Sequence, residues 1–288
     1  MSDDNSMSIV SLGKLSKPAD TLIKKVSSAV GGIFEPWQIK RVAKAETEVS
    51  LLKAKTDIEI TDLQRRAMHR FIEEEASRQE NMEEITKKAL SELENESDPS
   101  MMDDDWVTNF FDKSRIVSDT EMQGLWAKVL AGEANAPGTY SKRTVSLLCD
   151  LDKRDAELFL ALCGFAWNID RLFIPLIFDT QAGIYNHKNI NFETLTHLDS
   201  IGLLQFNDYT GFKIRETQQT LKASYCGRTF SATMQNKNDQ NLDVGKVMLT
   251  QVGIELAGIC KITEIDGFVD YVKEQWSKKT FLTIGNNT

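Results

Sequence analysis

The residues that could do acid–base or metal chemistry are few and widely spaced. The chain holds three histidines, His69, His187 and His197, and no two of them lie four residues apart on one helix face. Its four cysteines form no CxxC pair, and Cys149 and Cys163 sit in apolar helical surroundings. Zinc sites need clustered histidine or cysteine ligands. The spacing therefore predicts neither a metal site nor a catalytic histidine, and it favours buried, reduced thiols.

Two groups of aspartates are the remaining candidates for chemistry. The run 103–105 could offer oxygen ligands to a divalent cation, but three adjacent residues at a helix start cannot all face one ion. The pattern Asp150-x-Asp152-x-x-Asp155 is similar to part of a nuclease site, yet a helix cap at Asp152 explains it more simply. No phosphate-binding glycine loop and no nucleophile elbow occurs. We therefore expect no catalytic residue and no cofactor, and keep an enzyme with a diffuse site as a third alternative.

One segment has a pattern that points to contact rather than to chemistry. Between Pro18 and Pro36, apolar residues recur at three- and four-residue spacing, and lysines and serines take the other side. This predicts an amphipathic helix. A basic flank beside an apolar face can lie on an anionic membrane surface, or the face can pack on the protein's own helices or on another subunit. The predicted membrane or partner contacts are Leu22, Ile23, Lys24, Lys25, Val26, Val30, Ile33 and Phe34.

A long charged arm follows this segment. The stretch from Trp37 to about Glu96 contains neither glycine nor proline, which predicts one long helix or two in tandem. Its apolar track advances by about 3.6 residues per step, whereas a coiled coil repeats about every 3.5 residues. The track therefore predicts a straight helix that packs on a partner. It consists of Val42, Ala45, Val49, Leu52, Thr56, Ile60, Leu63, Ala67 and Phe71.

The rest of the chain predicts a helical domain and then a mixed one. An acidic break contains Pro99, and a capping box predicts a helix start at Ser118. Strands are expected at 203–206 and 212–214 as a hairpin, with a helix opening at Thr250. The predicted fold class is mainly α: a long helical arm plus a helical middle domain, with a small winged-helix-like α+β C-terminal domain. The predicted domains are the amphipathic segment 1–37, the arm 38–97, the helical domain 98–170 and the winged-helix-like domain 171–288.

Charge and hydropathy limit the partners. The net charge of -9 argues against a protein that coats nucleic acid, and residues 191–250 hold six basic and six acidic side chains. Protein contact through the winged-helix-like domain is therefore favoured, and a nucleic-acid-binding regulator is the alternative. The sequence shows no secretory signal and no run approaching the ~20 apolar residues of a spanning helix. The expected location is cytoplasmic, or peripheral at the inner membrane if the N-terminal helix contacts it.

Five motifs spread over the chain carry a family resemblance. They are Asp105-Trp-Val-Thr-Asn-Phe-Phe-Asp-Lys, the stretch 118–135, Pro137-Gly-Thr-Tyr-Ser-Lys-Arg-Thr-Val, Leu198-Asp-Ser-Ile-Gly-Leu-Leu and Leu249-Thr-Gln-Val-Gly-Ile-Glu-Leu. Together they resemble an uncharacterised bacterial family, the domain of unknown function 2806, over nearly the whole chain. That resemblance implies no activity and no catalytic residues.

A looser pattern is similar to the abortive-infection alpha family of phage-resistance proteins. It combines the N-terminal apolar segment with Leu130-Ala-Gly, Ile201-Gly-Leu and the closing Leu249-Thr-x-x-Gly. This resemblance implies antiviral defence. The leading hypothesis is a non-enzymatic bacterial interaction protein in phage defence of the abortive-infection type. The arm would self-associate or dock a protein partner, and the N-terminal helix would be an effector or contact surface.

Overall fold

The computed structural model describes residues 16–31, 61–215, 220–234, 241–280 and 282–286. Over these ranges the chain is mainly α-helical with a few small antiparallel sheets, which confirms the coarse fold prediction. The chain divides into two units, Met1–Cys149 and Asp150–Thr288. The boundary predicted after residue 97 falls within the first unit, and the one predicted after residue 170 falls within the second.

The first unit is built from helices that begin at short polar residues. Its elements are α1 (Lys17–Val30), α2 (Asp62–Leu90), a 3-10 turn (Pro99–Met101), α3 (Asp104–Ser114), α4 (Thr120–Asn135) and α5 (Lys142–Asp150), which ends one residue beyond the unit. Asp103 caps α3, where its carboxylate accepts a hydrogen bond from Trp106 N at 2.7 Å. The predicted cap of α4 was one residue early. Asp119, rather than Ser118, accepts from the first-turn backbone N–H groups of Glu121 and Met122, so one carboxylate satisfies both.

Helix α2 has a defined start. Thr61 and Gln64 form a capping box, in which the Thr61 hydroxyl accepts from Gln64 N at 3.3 Å and the Gln64 side chain accepts from Thr61 N at 2.9 Å. Of the two alternatives for the arm, the single long helix is wrong, because a new helix begins at Asp62, and two helices in tandem stay a prediction. The earlier part of the apolar track, from Val42 to Ile60, lies outside the described residues.

An aromatic cluster forms the centre of the first unit. Trp106 and Phe110 stack with ring centroids 5.2 Å apart, and Trp126 meets Phe110 edge-on at 5.1 Å. The second half of α2 packs on α4 through Ile85 and Ala89, both fully buried. Aromatic pairs in this geometry add to the stability that burial alone gives. The cluster joins α3 to α4, and the buried residues of α2 add that helix to the same core.

The second unit combines helices with three small sheets. Its elements are α6 (Lys153–Cys163), β1 (Ala166–Ile169), β2 (Leu172–Pro175), α7 (Gly183–Asn186), α8 (Phe192–Ser200), β3 (Leu204–Phe206), β4 (Phe212–Arg215), β5 (Thr220–Tyr225), β6 (Arg228–Met234), β7 (Asn241–Gly245), β8 (Val247–Leu249), α9 (Gln251–Ala257), α10 (Phe268–Thr280) and β9 (Leu282–Asn286). Five strands form an antiparallel sheet in the order β2-β1-β5-β6-β9. The other two sheets are the pairs β3–β8 and β4–β7.

The predicted hairpin between 203–206 and 212–214 was wrong in its pairing. Strand β3 pairs with β8 and strand β4 pairs with β7, both antiparallel. The later strands contribute fully buried side chains, Leu242, Val244 and Val247. The hairpin predicted from the turn residues therefore does not form, because β3 and β4 each pair with a later strand that buries more apolar surface.

Tyr225 joins the large sheet to two loops. Its ring stacks on Trp167 at 5.3 Å, its hydroxyl donates to Gly164 O at 2.9 Å, and it accepts from Ile265 N at 2.9 Å. Burial raises the pKa of Tyr225 to about 12. The phenol therefore stays protonated in the folded state at pH values where an unfolded tyrosine would ionise.

We expect the stability of the second unit to decline in strong alkali partly through Tyr225. An unfolded tyrosine ionises near pH 10, so the contribution of this group is complete below about pH 10 and is lost as the pH rises towards about 12. Urea unfolding of the wild type and of Tyr225→Phe across this range measures the effect. The slope should be smaller for Tyr225→Phe, and an equal slope for both would contradict the assignment.

Helix α1 should be an integral part of the first unit. Leu22 is fully buried, so Leu22→Ala is expected to lower the free energy of unfolding by about 2–5 kcal/mol through lost burial and a residual cavity. Lys24→Ala, on the exposed side of the same helix, is the matched control and should change stability by less than about 0.5 kcal/mol. Urea denaturation compares the two. Equal effects would mean that α1 is not anchored by its apolar face.

Candidate functional site

Residues from the first three of the five motifs hold a turn in place. Glu133 is only 2% exposed, and its carboxylate accepts from Gly138 N at 2.6 Å and from Tyr140 N at 2.8 Å. Trp106 Nε1 donates to Tyr140 O at 2.7 Å. A Cβ atom at Gly132 would lie 2.7 Å from the Tyr140 ring. These groups are therefore engaged in holding α4, the turn and α3 together.

The two later motifs meet each other in a second packing contact. Thr250 N donates to Leu203 O at 3.1 Å, and the Thr250 hydroxyl donates to Gly202 O at 2.7 Å. Helix α9 approaches so closely that a Cβ atom at Gly253 would lie 2.0 Å from Leu203 O. Only glycine fits at that distance. Both motifs are thus explained by the fit of α9 against the end of α8.

A polar pocket lies between α6 and α8. It has a volume of about 270 Å³ and is lined by Asp152, Arg154, Asp155, Leu158, Glu193, Thr194 and His197. At its centre, Asp155 Oδ1 and His197 Nε2 are 2.6 Å apart, with the Asp155 carboxylate largely buried and the His197 ring half exposed. A histidine oriented by a carboxylate is the arrangement of many acid–base sites, so the pocket is the strongest candidate for chemistry.

Two other polar residues of this pocket, Asp152 and Thr194, take part in helix caps. Asp155 also accepts from Asp152 N at 3.4 Å at the start of α6. The pocket's hydroxyl, on Thr194, donates to Asn189 O at 2.8 Å and belongs to the cap of α8. Over the described parts of the chain, no group of three or more His, Cys, Asp or Glu side chains could hold a metal ion. The Asp155–His197 hydrogen bond therefore links α6 to α8.

Sequence reasoning missed this pair. The sequence explained Asp155 as part of a helix cap and predicted no role for His197, and the two are 42 positions apart. Each helix has an ordinary pattern by itself. Predicting the pair would have required knowing that α6 packs on α8, which depends on the fold of the unit.

The predicted contact residues of α1 face in different directions. Leu22 and Val26 are fully buried in the first unit, where α1 packs on α3 and the 3-10 turn. Lys25 Nζ pairs with an Asp104 carboxylate oxygen at 2.6 Å, and exposed Lys24 pairs with Asp20 at 2.7 Å.

Among the described residues of α1, little of the apolar surface predicted to make contacts is exposed. Ile23 and Val30 are partly exposed, whereas Ile33 and Phe34 lie outside the described residues. Contact through Leu22 or Val26 would thus require α1 to leave its own unit. None of the helices within the described ranges is long and apolar enough to cross a membrane.

The first half of α2 is the most exposed apolar element of the first unit. Every residue from Thr61 to Phe71 is exposed. Leu63 is 68% exposed and Phe71 is 61% exposed, although both belong to the predicted apolar track. The arm face, as we call this surface, consists of Leu63, Ala67 and Phe71, which follow one another at four-residue spacing along one side of α2.

Comparison with known proteins gives one family. A family model described as "Protein of unknown function (DUF2806)" matches residues 65–273. The chain belongs to this family. The DUF2806 match includes most of the arm face and both motif contacts, whereas α1 precedes it. No curated protein and no solved structure matches the chain.

We expect the Asp155–His197 pair of this DUF2806 protein to act on stability. Asp155→Ala removes a buried acceptor of two hydrogen bonds and should lower the free energy of unfolding by about 1–3 kcal/mol. Asp155→Asn keeps the shape and should lose less. Chemical denaturation of the three proteins measures this. Wild-type stability for Asp155→Ala would contradict the structural role and return the pocket to consideration as a ligand site.

Proposed function

We propose that this chain is a non-enzymatic bacterial interaction protein and that the arm face is its contact surface. The proposal is supported by one observation above the others: three turns of helix, from Thr61 to Phe71, are exposed at every residue and carry large apolar side chains. Single exposed apolar residues are common on proteins, but apolar residues that follow one another along one side of a helix, as Leu63, Ala67 and Phe71 do at four-residue spacing, are typical of a binding surface.

The energetics favour association through this face. Burying a leucine or phenylalanine side chain stabilises by about 1.5–3 kcal/mol, so Leu63 and Phe71 alone could supply a specific contact. An isolated helix of this length is only marginally stable in water. A partner that covers the arm face would therefore stabilise the helix as well as bury its apolar residues.

The N-terminal helix contributes less to the proposed contact than its sequence suggests. Its large apolar residues Leu22 and Val26 are buried, and Lys24 and Lys25 are paired. The exposed side of α1, around Lys24, remains available as a second contact of effector type. Deleting residues 1–37 would remove Leu22 and Val26 from the core, so surface substitutions are the better test of that role.

The looser resemblance to abortive-infection alpha proteins supports a role for this contact in phage defence. Within the second unit, α8 followed by the ribbon of β3, β4, β7 and β8 supports the winged-helix-like proposal. Two of the basic side chains there are paired, Lys246 with Asp208 at 2.7 Å and Arg228 with Glu264 at 2.8 Å. This pairing favours protein contact over nucleic-acid binding.

The proposed role predicts loss of protection when the arm face is made polar. The full chain and its Leu63→Ser/Phe71→Ser variant would be expressed in a bacterial host and challenged with a panel of phages. The wild type should reduce plaque formation and the variant should not, because the substitutions remove the apolar contact without touching the core. Circular dichroism would verify that the variant folds.

A matched control comes from the same unit. Met101 and Ile116 are 71% and 63% exposed but lie outside α2, so Met101→Ser/Ile116→Ser should keep full protection. Protection by a folded Leu63→Ser/Phe71→Ser variant would contradict the assignment of the arm face. Absence of protection by the wild type would contradict the defence role.

A further inference from the structure

We infer that Cys163 and Cys260 form a disulfide when the protein meets a peroxide, and that this disulfide lock joins the end of α6 to the segment after α9. All four cysteines of the chain are thiols in the structure. The disulfide lock lies within the second unit and does not involve the arm face, so it goes beyond the contact proposed above.

Two stretches that are distant in the chain run beside each other at this point. Cys163 is the last residue of α6, and residues 260–265, between α9 and α10, form neither helix nor strand. The side chains of Cys163 and Cys260 are in hydrogen-bonding contact. A disulfide joins its two sulfur atoms at about 2.05 Å. Two thiols that already touch therefore need only a short approach, and the irregular segment around Cys260 can make it.

Neighbouring contacts hold these two stretches together independently of the thiols. The Tyr225 hydroxyl donates to Gly164 O at 2.9 Å and accepts from Ile265 N at 2.9 Å. A Cβ atom at Gly164 would lie 3.2 Å from Ile265 Cδ1. Further along, the rings of Phe165 and Phe268 meet edge-on with their centroids 5.0 Å apart. Because the frame around the thiols is fixed, reaction within one molecule is favoured over reaction with a second one.

The two thiols differ in access and in reactivity. Cys163 is fully buried, whereas Cys260 is partly exposed. The hydrogen bond with Cys260 and the burial raise the pKa of the Cys163 thiol well above its usual value. Because the thiolate is the reactive form of cysteine, Cys163 is protected from direct oxidation. A peroxide therefore reacts first at Cys260.

Two steps make the disulfide, with hydrogen peroxide as the oxidant. In the first, the Cys260 thiolate attacks one peroxide oxygen, the O–O bond breaks, and a sulfenic acid and a hydroxide ion form. In the second, the Cys163 sulfur attacks the Cys260 sulfur and the S–O bond breaks. The leaving hydroxide takes the Cys163 proton and departs as water. Each sulfur loses one electron, and the peroxide accepts the two.

The disulfide lock would act on α9. As a thiol, Cys260 donates to Leu256 O at 3.6 Å in the last turn of that helix. Oxidation removes this donor and replaces it with a covalent link to α6. Because the lock joins positions about 100 residues apart in the chain, it removes many conformations from the unfolded state. We therefore expect the oxidised second unit to be more stable than the reduced one.

Peptide mapping of the full-length protein tests the pairing. A Cys226→Ser background removes the exposed thiol that could bridge two molecules. After treatment with a small excess of hydrogen peroxide, an unreduced digest should contain a peptide pair linked through Cys163 and Cys260, which dithiothreitol separates. Folded protein without this pair, or with a disulfide to Cys149 instead, would overturn the inference.

Single substitutions in the same background test the order of the steps. In Cys163→Ser, the sulfenic acid at Cys260 lacks its partner thiol and should be labelled by dimedone. Cys163→Ala makes the same test if serine at this buried position prevents folding. In Cys260→Ser, Cys163 should stay a thiol because it is buried, whereas Cys149→Ser is the matched control and should still form the disulfide. Dimedone labelling of Cys163 rather than Cys260 would contradict the order.

Thermal unfolding tests the effect on the second unit. The oxidised protein should melt about 5 °C or more above the reduced protein, and dithiothreitol should reverse the gain. Cys260→Ser should melt at one temperature before and after peroxide treatment. A protein that carries the disulfide but melts no higher than its reduced form would rule out the lock, as would an equal gain in Cys260→Ser.

Discussion

A carboxylate buried among helices is costly unless several N–H groups surround it, and Glu133 meets that condition in the first unit. Its two oxygens take the backbone N–H groups of Gly138 and Tyr140, so the turn after α4 can adopt one conformation only. The fixed Tyr140 carbonyl then accepts from Trp106, the first ring of the aromatic cluster. Because α2 packs on that core only through its second half, the position of the arm depends on the same carboxylate.

This dependence gives the residues of the family motifs a structural role that needs no reaction centre. The turn requires the Glu133 carboxylate as acceptor and leaves no room for a Cβ atom at position 132. The closeness of Leu203 O leaves none at position 253. Membership of DUF2806 therefore indicates a shared scaffold. The proposed contact surface lies on the first half of α2, which packs little on that scaffold.

Much of the local structure could be predicted from the sequence because it is decided by neighbouring residues. Pro18, Asp103 and Thr250 mark helix starts, since Asp103 and Thr250 accept from backbone N–H groups of their own first turns and Pro18 has no N–H group that needs a partner there. Pairings between distant residues could not be predicted. The turn at 207–211 indicated a hairpin, but strand choice depended on which strands bury apolar surface. The Asp155–His197 pair likewise depends on how α6 meets α8.

The amphipathic pattern of α1 predicted that its apolar face is buried, but it did not predict which surface covers that face. Leu22 and Val26 pack on their own unit, whereas Leu63 and Phe71 remain exposed. Periodicity identifies a face that needs covering, and both helices have one. Tertiary structure decides whether that face packs on the protein's own unit or on a partner.

The capping box at Thr61 has a thermal consequence. It fixes where α2 begins, but the following turns gain little from the rest of the unit, so this segment should exchange between helix and coil. Any partner must select the helical form, and its observed affinity is reduced by the fraction of time that the segment is unwound. Since helix content falls on warming, the contact should weaken with temperature well before either unit unfolds, and the protein would then respond to heat through its arm.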